Sequence, residues 1–257
     1  QENEAFTENC PDLGEVDLRA DGFLAALQSS LANKQTQLES AAIIGSGSAF
    51  RINEEGSLVT NSHVINDCLA ISDSEGNYYK KTINNQVQDL AVLELDKAVT
   101  PDNEKKREFA LLSDEDIALG ESIYVAGFPY NVVLKSLNFT EGTVSSVSGI
   151  GGNTQHFQIT APMQPGNSGG PILSESGSVI GIAVGKLDDS LMLKMAGSLP
   201  QNVNFGIDAQ ILKKMLANNS IPFEEGSPFF SFLSDREKVA GHAQEITEQL
   251  NCWGEIK

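Results

Sequence analysis

Cysteine, histidine and basic residues are all scarce in this 257-residue chain. Its three cysteines, Cys10, Cys68 and Cys252, are far apart, whereas a zinc site takes close pairs of ligands, so we expect no metal. No apolar run approaches the roughly 18 residues that cross a membrane, and we expect no membrane insertion. With 17 Lys and Arg against 35 Asp and Glu, the net charge of −18 would repel phosphate backbones. Nucleic acid is therefore excluded as a partner.

The cysteines also bear on the compartment. Cys10 and Cys252 flank the chain, and chain termini often lie close together, so a disulfide between them is expected in an oxidising compartment. Cys68 would then be a free, buried thiol. The chain opens QENEAFTENC, with neither Met nor a leader-like apolar segment, and this suggests a mature form whose leader was removed. These features predict a periplasmic or secreted protein.

Apolar spacing divides the chain into three parts. Residues 1–40 are predicted to form a helical extension, because apolar residues recur at helical spacing within 16–39. From residue 41 short β-type runs alternate with Gly and Asn turns, which predicts two β-rich halves at about 41–115 and 116–225. In the remainder, 226–257, a loop and a helix are predicted. The apolar positions on one face of that helix are Val239, Ala243, Ile246 and Leu250.

The stretch QPGNSGGP at 164–171 is either a glycine-rich turn or the site of a nucleophile, Ser168. A serine hydroxyl is a weak nucleophile at neutral pH, so it needs a base and a group that orients that base. The candidate bases are the three histidines. His63 lies in TNSHVI at a strand end, His156 precedes an alternating strand, and His242 lies in the predicted C-terminal helix.

One possible chain order of the catalytic residues, Ser, then Asp, then His, can be tested against the sequence that follows Ser168. The pattern G-x-S-x-G at 166–170 matches the nucleophile elbow of α/β-hydrolases, which would use Ser168, Asp208 and His242. That elbow requires a helix directly after the serine. Here GGPILSESGSVIGIAVG is typical of strand, turn and strand. The elbow is therefore rejected.

The order His, Asp, Ser uses three other segments: TNSHVI around His63, QDLAVLEL around Asp89, and QPGNSGGPI around Ser168. Together they resemble the chymotrypsin-like serine proteases. The strand ending AGFP and the later PQNVNFGI bring the resemblance closest to bacterial HtrA-like (Deg-type) trypsin-like peptidases, over about residues 41–215. Such enzymes commonly add a PDZ domain, and the roughly forty residues after the predicted barrels are too few for one.

The resemblance implies an all-β fold of two six-stranded antiparallel barrels, with helical extensions at both ends. It implies that His63 is the general base and then acid, that Asp89 orients it, and that Ser168 forms an acyl-enzyme. The backbone N–H groups of Gly166 and Ser168 would form the oxyanion hole.

The same resemblance predicts a substrate pocket. The position six residues before Ser168 is Pro162, so the carboxylate that selects Lys or Arg is missing. An apolar pocket for small or medium aliphatic side chains is expected instead. Its predicted residues, and those of a strand that would pair with the substrate backbone, are Pro162, Met163, Val184, Gly185, Lys186 and Asn204.

The sequence thus predicts a serine endopeptidase that acts on unfolded or secreted polypeptides and uses neither metal nor organic cofactor. An alternative from another class is a catalytically latent peptide-binding or chaperone-like module on the same fold. A third is a secreted structural or interaction protein with a fortuitous triad. The oligomeric state is left open by the sequence.

Overall fold

A computed structural model describes five stretches of the chain, residues 41–99, 107–130, 134–184, 203–227 and 235–255. The predicted N-terminal extension 1–40, with Cys10, lies outside the described residues, and so do Gly185 and Lys186.

The described residues form fourteen β-strands and three α-helices. The strands are β1 Ala42–Arg51, β2 Leu58–Thr60, β3 Ala70–Asp73, β4 Tyr78–Asn85, β5 Leu90–Leu95, β6 Leu111–Leu112, β7 Ser122–Gly127, β8 Asn138–Ser146, β9 His156–Ile159, β10 Pro171–Ser174, β11 Val179–Val184, β12 Asn204–Asp208, β13 Glu224–Glu225 and β14 Thr247–Gly254. The helices are α1 Ser62–Ile65, α2 Ala209–Asn218 and α3 Arg236–Ile246, and a short 3₁₀ helix spans Ile150–Gly152.

Six strands close the first barrel, in the order β1-β14-β3-β4-β5-β2, with every neighbouring pair antiparallel. Successive side chains of a strand point to opposite faces, and both faces of β5 are buried over the first four residues of LAVLEL. Ala91 and Leu93 lie in the core of this barrel, and Leu90 and Val92 lie in another apolar cluster. The buried side chains of this barrel include Ala49, Leu58, Ile71, Leu93 and Leu250.

A second ring follows the order β10-β7-β8-β9-β12-β11, and β11 pairs with β10 to close it. The short strands β6 and β13 extend it from β11 through parallel pairings. Its core includes Ile123, Val125, Phe157, Ile159 and Ile172. The predicted all-β fold of two six-stranded barrels is confirmed.

A third apolar cluster joins the barrels to each other and to the helices. It combines strands of both barrels with α2 and α3. Its members include Phe50 and Leu90 from the first barrel, Tyr124 and Ile182 from the second, Leu212 from α2 and Val239 from α3. Helix α2 begins where Asp208 caps it, accepting a hydrogen bond from the Gln210 N–H at 2.8 Å. The two barrels therefore share a continuous interior, and residues from each can meet at their junction.

The structure corrects the prediction for the C-terminal tail. The expected helical face is right for Val239, Ala243 and Ile246, which are buried, but helix α3 ends at Ile246. The next eight residues, including Leu250, form β14, which fills the gap between β1 and β3. Arg51 of β1 fixes this corner, because its guanidinium donates to the Glu245 carbonyl at 2.6 Å and pairs with the Glu248 carboxylate. The first barrel is thus not confined to the predicted N-terminal half.

The disulfide prediction is also corrected. Cys252 is bridged to Cys68, with 5.1 Å between their Cα atoms, rather than to Cys10. The position of β14 explains this pairing. Cys252 on β14 lies opposite Ile71 of β3, and Ile71 comes shortly after Cys68 in the chain, so the two cysteines are brought together. Cys68 follows α1 and is therefore not the free thiol that was expected. The bridge ties the segment after His63 to the C-terminal strand.

In the part of the chain that the structure describes, every helix is too short or too polar to cross a membrane. Among the same residues, His, Cys, Asp and Glu side chains nowhere gather in threes at metal-binding distance.

Candidate active site

His63 and Asp89 are in direct contact on the first barrel. His63 lies on the one-turn helix α1, directly after β2, and Asp89 occupies the turn that leads into β5. The His63 Nδ1 lies 2.7 Å from the Asp89 Oδ2, and the His63 backbone N–H donates to the Asp89 Oδ1 at 2.9 Å. One carboxylate therefore holds both the ring and the backbone of the histidine. With a proton on Nδ1, the ring keeps Nε2 as a basic nitrogen.

Asp89 reaches this position through a left-handed backbone conformation, with φ of 52°. Aspartate tolerates that region better than most residues do. The Asn61 side chain donates to the Asp89 carbonyl at 3.0 Å and holds the strained turn from the other side. Asn61 is the N-cap of α1 and is fully buried. Asn61, two residues before His63 in the chain, thus supports the turn that carries Asp89.

The Ser168 turn packs against the segment that carries His63. The Ser48 N–H donates to the Ser168 carbonyl at 2.9 Å. Gly169 has φ of 86°, and a Cβ there would strike the Ser48 carbonyl and the Thr60 hydroxyl and lie 3.0 Å from the Asn61 nitrogen. Only glycine permits this approach. The turn therefore sits directly on the strand end that leads to His63.

Gly47 marks the same junction. A Cβ at Gly47 would lie 2.6 Å from a Val64 methyl carbon and 3.2 Å from the Ser168 carbonyl oxygen. Val64 is the neighbour of His63 in α1. The structure thus brings the turn that carries Ser168 together with the helix that carries His63, at the junction of the two barrels.

The carbonyl groups of the turn are engaged within the protein. The Pro165 carbonyl accepts from the Tyr130 N–H at 3.0 Å. The C=O and N–H of a trans peptide point in opposite directions, and the described residues have only trans bonds. The Gly166 N–H consequently points away from Tyr130.

Ser168 follows the same rule. The Asn167 carbonyl accepts from the Gly170 N–H at 3.0 Å, which directs the Ser168 N–H to the opposite side. Gly166 has φ of 107°, and a Cβ there would lie 2.5 Å from the Phe128 carbonyl oxygen. The two N–H groups predicted for the oxyanion hole therefore belong to peptides whose orientation is fixed by hydrogen bonds.

Four of the predicted pocket residues are described. Met163 is buried, Pro162 is exposed, and Val184 and Asn204 are half-buried at the ends of β11 and β12. The Asn204 side chain donates to the Ala161 carbonyl at 2.7 Å, which joins the start of β12 to the segment that contains Pro162 and Met163.

Strand β11 connects these residues to the turn. The Gly169 N–H donates to the Ala183 carbonyl, and the Ala183 N–H donates to the Gly170 carbonyl, both at 2.9 Å. Val184, next in the chain, thus lies beside the Ser168 turn. The other predicted pocket residues, Gly185 and Lys186, fall outside the described range.

The other two histidines have different surroundings. His156 starts β9, its Nδ1 lies 2.9 Å from the Asn153 Nδ2, and burial lowers its pKa although the charge of Asp89 acts in the opposite sense. His242 lies in α3, where burial likewise lowers its pKa. Ser168 is followed by β10 rather than by a helix, and this is incompatible with the α/β-hydrolase elbow.

Sequence reasoning assigned no role to Ser48, Asn61 or Tyr130, although Asn61 lies within the quoted segment TNSHVI. The one available signal was a polar residue, Ser48, placed between the glycine-rich GSG and the apolar part of β1. Nothing local shows what such a residue contacts.

A family model described as a trypsin-like peptidase domain matches residues 47–182. The chain belongs to this family. The match begins beside Ser48 and ends within β11, so it takes in the three segments around His63, Asp89 and Ser168. It also confirms the resemblance that those segments suggested.

Relatives of this trypsin-like peptidase include HtrA-type proteins. The chain is 37% identical over 219 residues to the uncharacterized protein y4bJ of Sinorhizobium fredii, covering 83% of this chain and 33% of that protein. It is 34% identical to a probable periplasmic serine endoprotease DegP-like of Rhizobium meliloti, over 53% of this chain and 27% of the relative. An HtrA-like serine protease of Staphylococcus aureus is 30% identical, over 62% and 22%. The chain thus spans a third or less of the length of these relatives.

Two solved structures share the fold. The HtrA-type protease AlgW with decapeptide has a TM-score of 0.52 and 26% identity, covering 67% of this chain and 50% of that one. The serine endoprotease from Yersinia pestis has a TM-score of 0.54 and 22% identity, over 74% and 66%, and at that identity it supports the fold alone.

Proposed function

We propose that this trypsin-like peptidase is a serine endopeptidase. Ser168 Oγ attacks the scissile carbonyl while His63 Nε2 takes its proton, and the same nitrogen then protonates the departing amine. Water, activated by His63, hydrolyses the acyl-enzyme. Asp89 keeps the imidazole in the required tautomer and stabilises its protonated form. These steps use only groups of the chain and water.

The observation that carries the proposal is the double attachment of His63 to Asp89, in the immediate vicinity of the Ser168 turn. The contact of 2.7 Å at Nδ1 orients the ring, and the second of 2.9 Å at the backbone N–H holds the short helix that carries it. An imidazole held in this way is typical of a general base rather than of a structural histidine.

The proposed oxyanion hole consists of the N–H groups of Gly166 and Ser168. Their orientation follows from the engaged carbonyls of Pro165 and Asn167. Fixed donors of this kind stabilise the charge of the tetrahedral intermediate, and loss of one donor costs about 3 kcal/mol. This arrangement favours an active enzyme over a latent peptide-binding module, in which such donors serve no purpose.

For substrates we propose unfolded or secreted polypeptides, cleaved after small or medium aliphatic residues. The apolar side chains of Met163 and Val184, with Pro162 at the position where a carboxylate would select basic residues, support the pocket. Residues 184–186 would pair with the substrate backbone. The HtrA-type relative with a bound decapeptide supports a peptide substrate.

We further propose a periplasmic or secreted location. The Cys68–Cys252 bridge is of the kind that persists in oxidising compartments. A relative named as a periplasmic DegP-like endoprotease agrees with this.

The test is labelling of the purified protein with a fluorophosphonate probe. We expect labelling of the wild type and of a Ser148→Ala control, loss of labelling in Ser168→Ala, and strong loss in His63→Ala. Digestion of an unfolded protein by the wild type, followed by sequencing of the fragments, should give cleavage after aliphatic residues. A folded wild type that neither labels nor cleaves would favour the latent peptide-binding module, and cleavage after Lys or Arg would contradict the proposed pocket.

A further inference from the structure

Ser48 lies on β1 of the first barrel, yet its side chain serves the Ser168 turn of the second. It is fully buried. Its hydroxyl donates to the Gly166 carbonyl at 2.7 Å and accepts from the Phe128 N–H at 2.8 Å. Its backbone N–H donates to the Ser168 carbonyl at 2.9 Å. One residue therefore makes two hydrogen bonds to the turn of the proposed oxyanion hole and a third to the segment at Phe128 that packs against this turn.

The hydrogen bond from Ser48 to the Gly166 carbonyl bears on the oxyanion hole because of the peptide to which that carbonyl belongs. The peptide between Gly166 and Asn167 lies between the two peptides whose N–H groups form the proposed hole. Glycine at φ of 107° has access to many other conformations, so this peptide could rotate and carry its neighbours with it. The Ser48 hydroxyl binds its carbonyl, while the Asn167 N–H donates to the Gln164 carbonyl at 3.0 Å. Rotation would break both hydrogen bonds.

The Phe128 contact fixes the other side of the turn. Phe128 begins the segment that touches Gly166, and two residues later the Tyr130 N–H binds the Pro165 carbonyl. By accepting from Phe128 and donating to Gly166, a single hydroxyl sets the distance between this segment and the turn. The site is tight, since a Cβ on Gly127 would lie 2.9 Å from the Ser48 Oγ.

We propose that Ser48 is a positioning residue for the oxyanion hole. Its hydroxyl keeps the Gly166–Asn167 peptide in the orientation that lets the Gly166 and Ser168 N–H groups converge on one oxygen. This inference rests on the proposed serine endopeptidase function. Ser48 itself touches neither the substrate nor the reacting atoms.

Ser48→Ala is the decisive variant, because it removes one oxygen and leaves the packing otherwise unchanged. We expect kcat to fall about 10- to 100-fold, with KM nearly unchanged. This decrease in kcat is smaller than the one caused by removing a whole oxyanion donor. The affinity for a peptide boronic acid, which forms a tetrahedral adduct, should fall by a similar factor. Ser48→Cys keeps a weak donor and should lie between the wild type and Ser48→Ala.

Ser72→Ala is the matched control. The Ser72 hydroxyl, on β3 of the first barrel, is also buried and accepts a hydrogen bond from the Trp253 Nε1–H at 2.9 Å. Its loss should lower stability, while kcat stays close to the wild-type value. If Ser48→Ala fails to fold, Ser48→Cys is compared with Ser72→Ala instead.

Two failures are distinguishable. A wild type without labelling or turnover would overturn the proposed function itself. An active wild type whose Ser48 variants match Ser72→Ala in kcat and in boronic acid affinity would overturn only the role of Ser48.

Discussion

The Asp89 carboxylate accepts two hydrogen bonds from one residue, His63, through the ring Nδ1 at 2.7 Å and through the backbone N–H at 2.9 Å. The two oxygens are thus divided between orienting the ring and fixing the short helix that carries it. A carboxylate that does both restrains the position of the histidine as well as its tautomer.

Asp89→Asn should therefore keep the fold and nearly abolish turnover. An amide oxygen can still accept from the His63 backbone, whereas an amide N–H facing Nδ1 would force the proton onto Nε2 and remove the base. We expect kcat to fall by about 10⁴, with an unfolding midpoint within a few degrees of the wild type. Peptide hydrolysis and thermal melting are the measurements.

Asp114→Asn, at an exposed position, serves as the control and should retain full activity. Retention of most activity by Asp89→Asn would show that Asp89 is not the partner of the base.

The segments around His63, Asp89 and Ser168 could be found in the sequence because each is local, whereas the roles of the three residues came from the resemblance of these segments to the chymotrypsin-like serine proteases. Asp89 directly precedes β5, whose apolar run LAVLEL predicts a strand, and His63 follows the buried strand β2. Ser168 lies in a turn whose glycines are required by positive φ at Gly166 and Gly169. Strand alternation and turn chemistry act over a few residues, and a single sequence contains that information.

The C-terminal strand, the disulfide pairing and the role of Ser48 could not be predicted, because they depend on contacts between distant parts of the chain. The spacing of Leu250 is compatible with a helical face and with a strand. Its segment forms a strand because it pairs with both β1 and β3 to close the first barrel. Three cysteines permit three pairings, and the sequence does not choose among them. Ser48 binds a carbonyl 118 residues away, so its role appears only when the barrels meet.

The Cys68–Cys252 bridge should contribute to stability. It closes a sequence separation of 184 residues, and bridges over long loops restrict the unfolded chain most. We expect the double variant Cys68→Ser, Cys252→Ser to lose about 2–4 kcal/mol of unfolding free energy in denaturant titrations under oxidising conditions.

Cys10→Ser distinguishes this pairing from the one that chain ends alone would suggest. This variant should have the same unfolding free energy as the wild type. Peptide mapping of the wild type without reductant should recover a fragment that joins Cys68 to Cys252. A recovered Cys10–Cys252 fragment would contradict the observed pairing.

Leu250→Ala tests whether the C-terminal residues belong to the first barrel. Leu250 is almost fully buried in a cluster that includes Val64 and Ile65, the residues that follow His63. Truncation should leave a cavity and cost about 2–5 kcal/mol of unfolding free energy. Gln249→Ala, next to it on β14 but half-buried, should cost far less. Equal and small effects of the two substitutions would place Leu250 outside the core.

Stability should fall as the pH drops from 7 toward 5, in part because of His242. Burial lowers the pKa of this histidine from its ordinary value of 6.5, although Glu108 and Glu245 act in the opposite sense. The unfolded chain therefore binds a proton at a pH where the folded chain does not, and protonation favours unfolding below about pH 6.5. One such group changes the unfolding free energy by at most about 1.4 kcal/mol per pH unit.

His242→Gln should consequently show a flatter dependence of unfolding free energy on pH between 7 and 5 than the wild type. The difference between the two proteins isolates the histidine, because the carboxylates that titrate in the same range are common to both. His156→Gln should flatten the curve as well, since burial lowers the pKa of His156 too. Parallel curves for the wild type and His242→Gln in urea titrations would mean that His242 has the same pKa in the folded and unfolded chains.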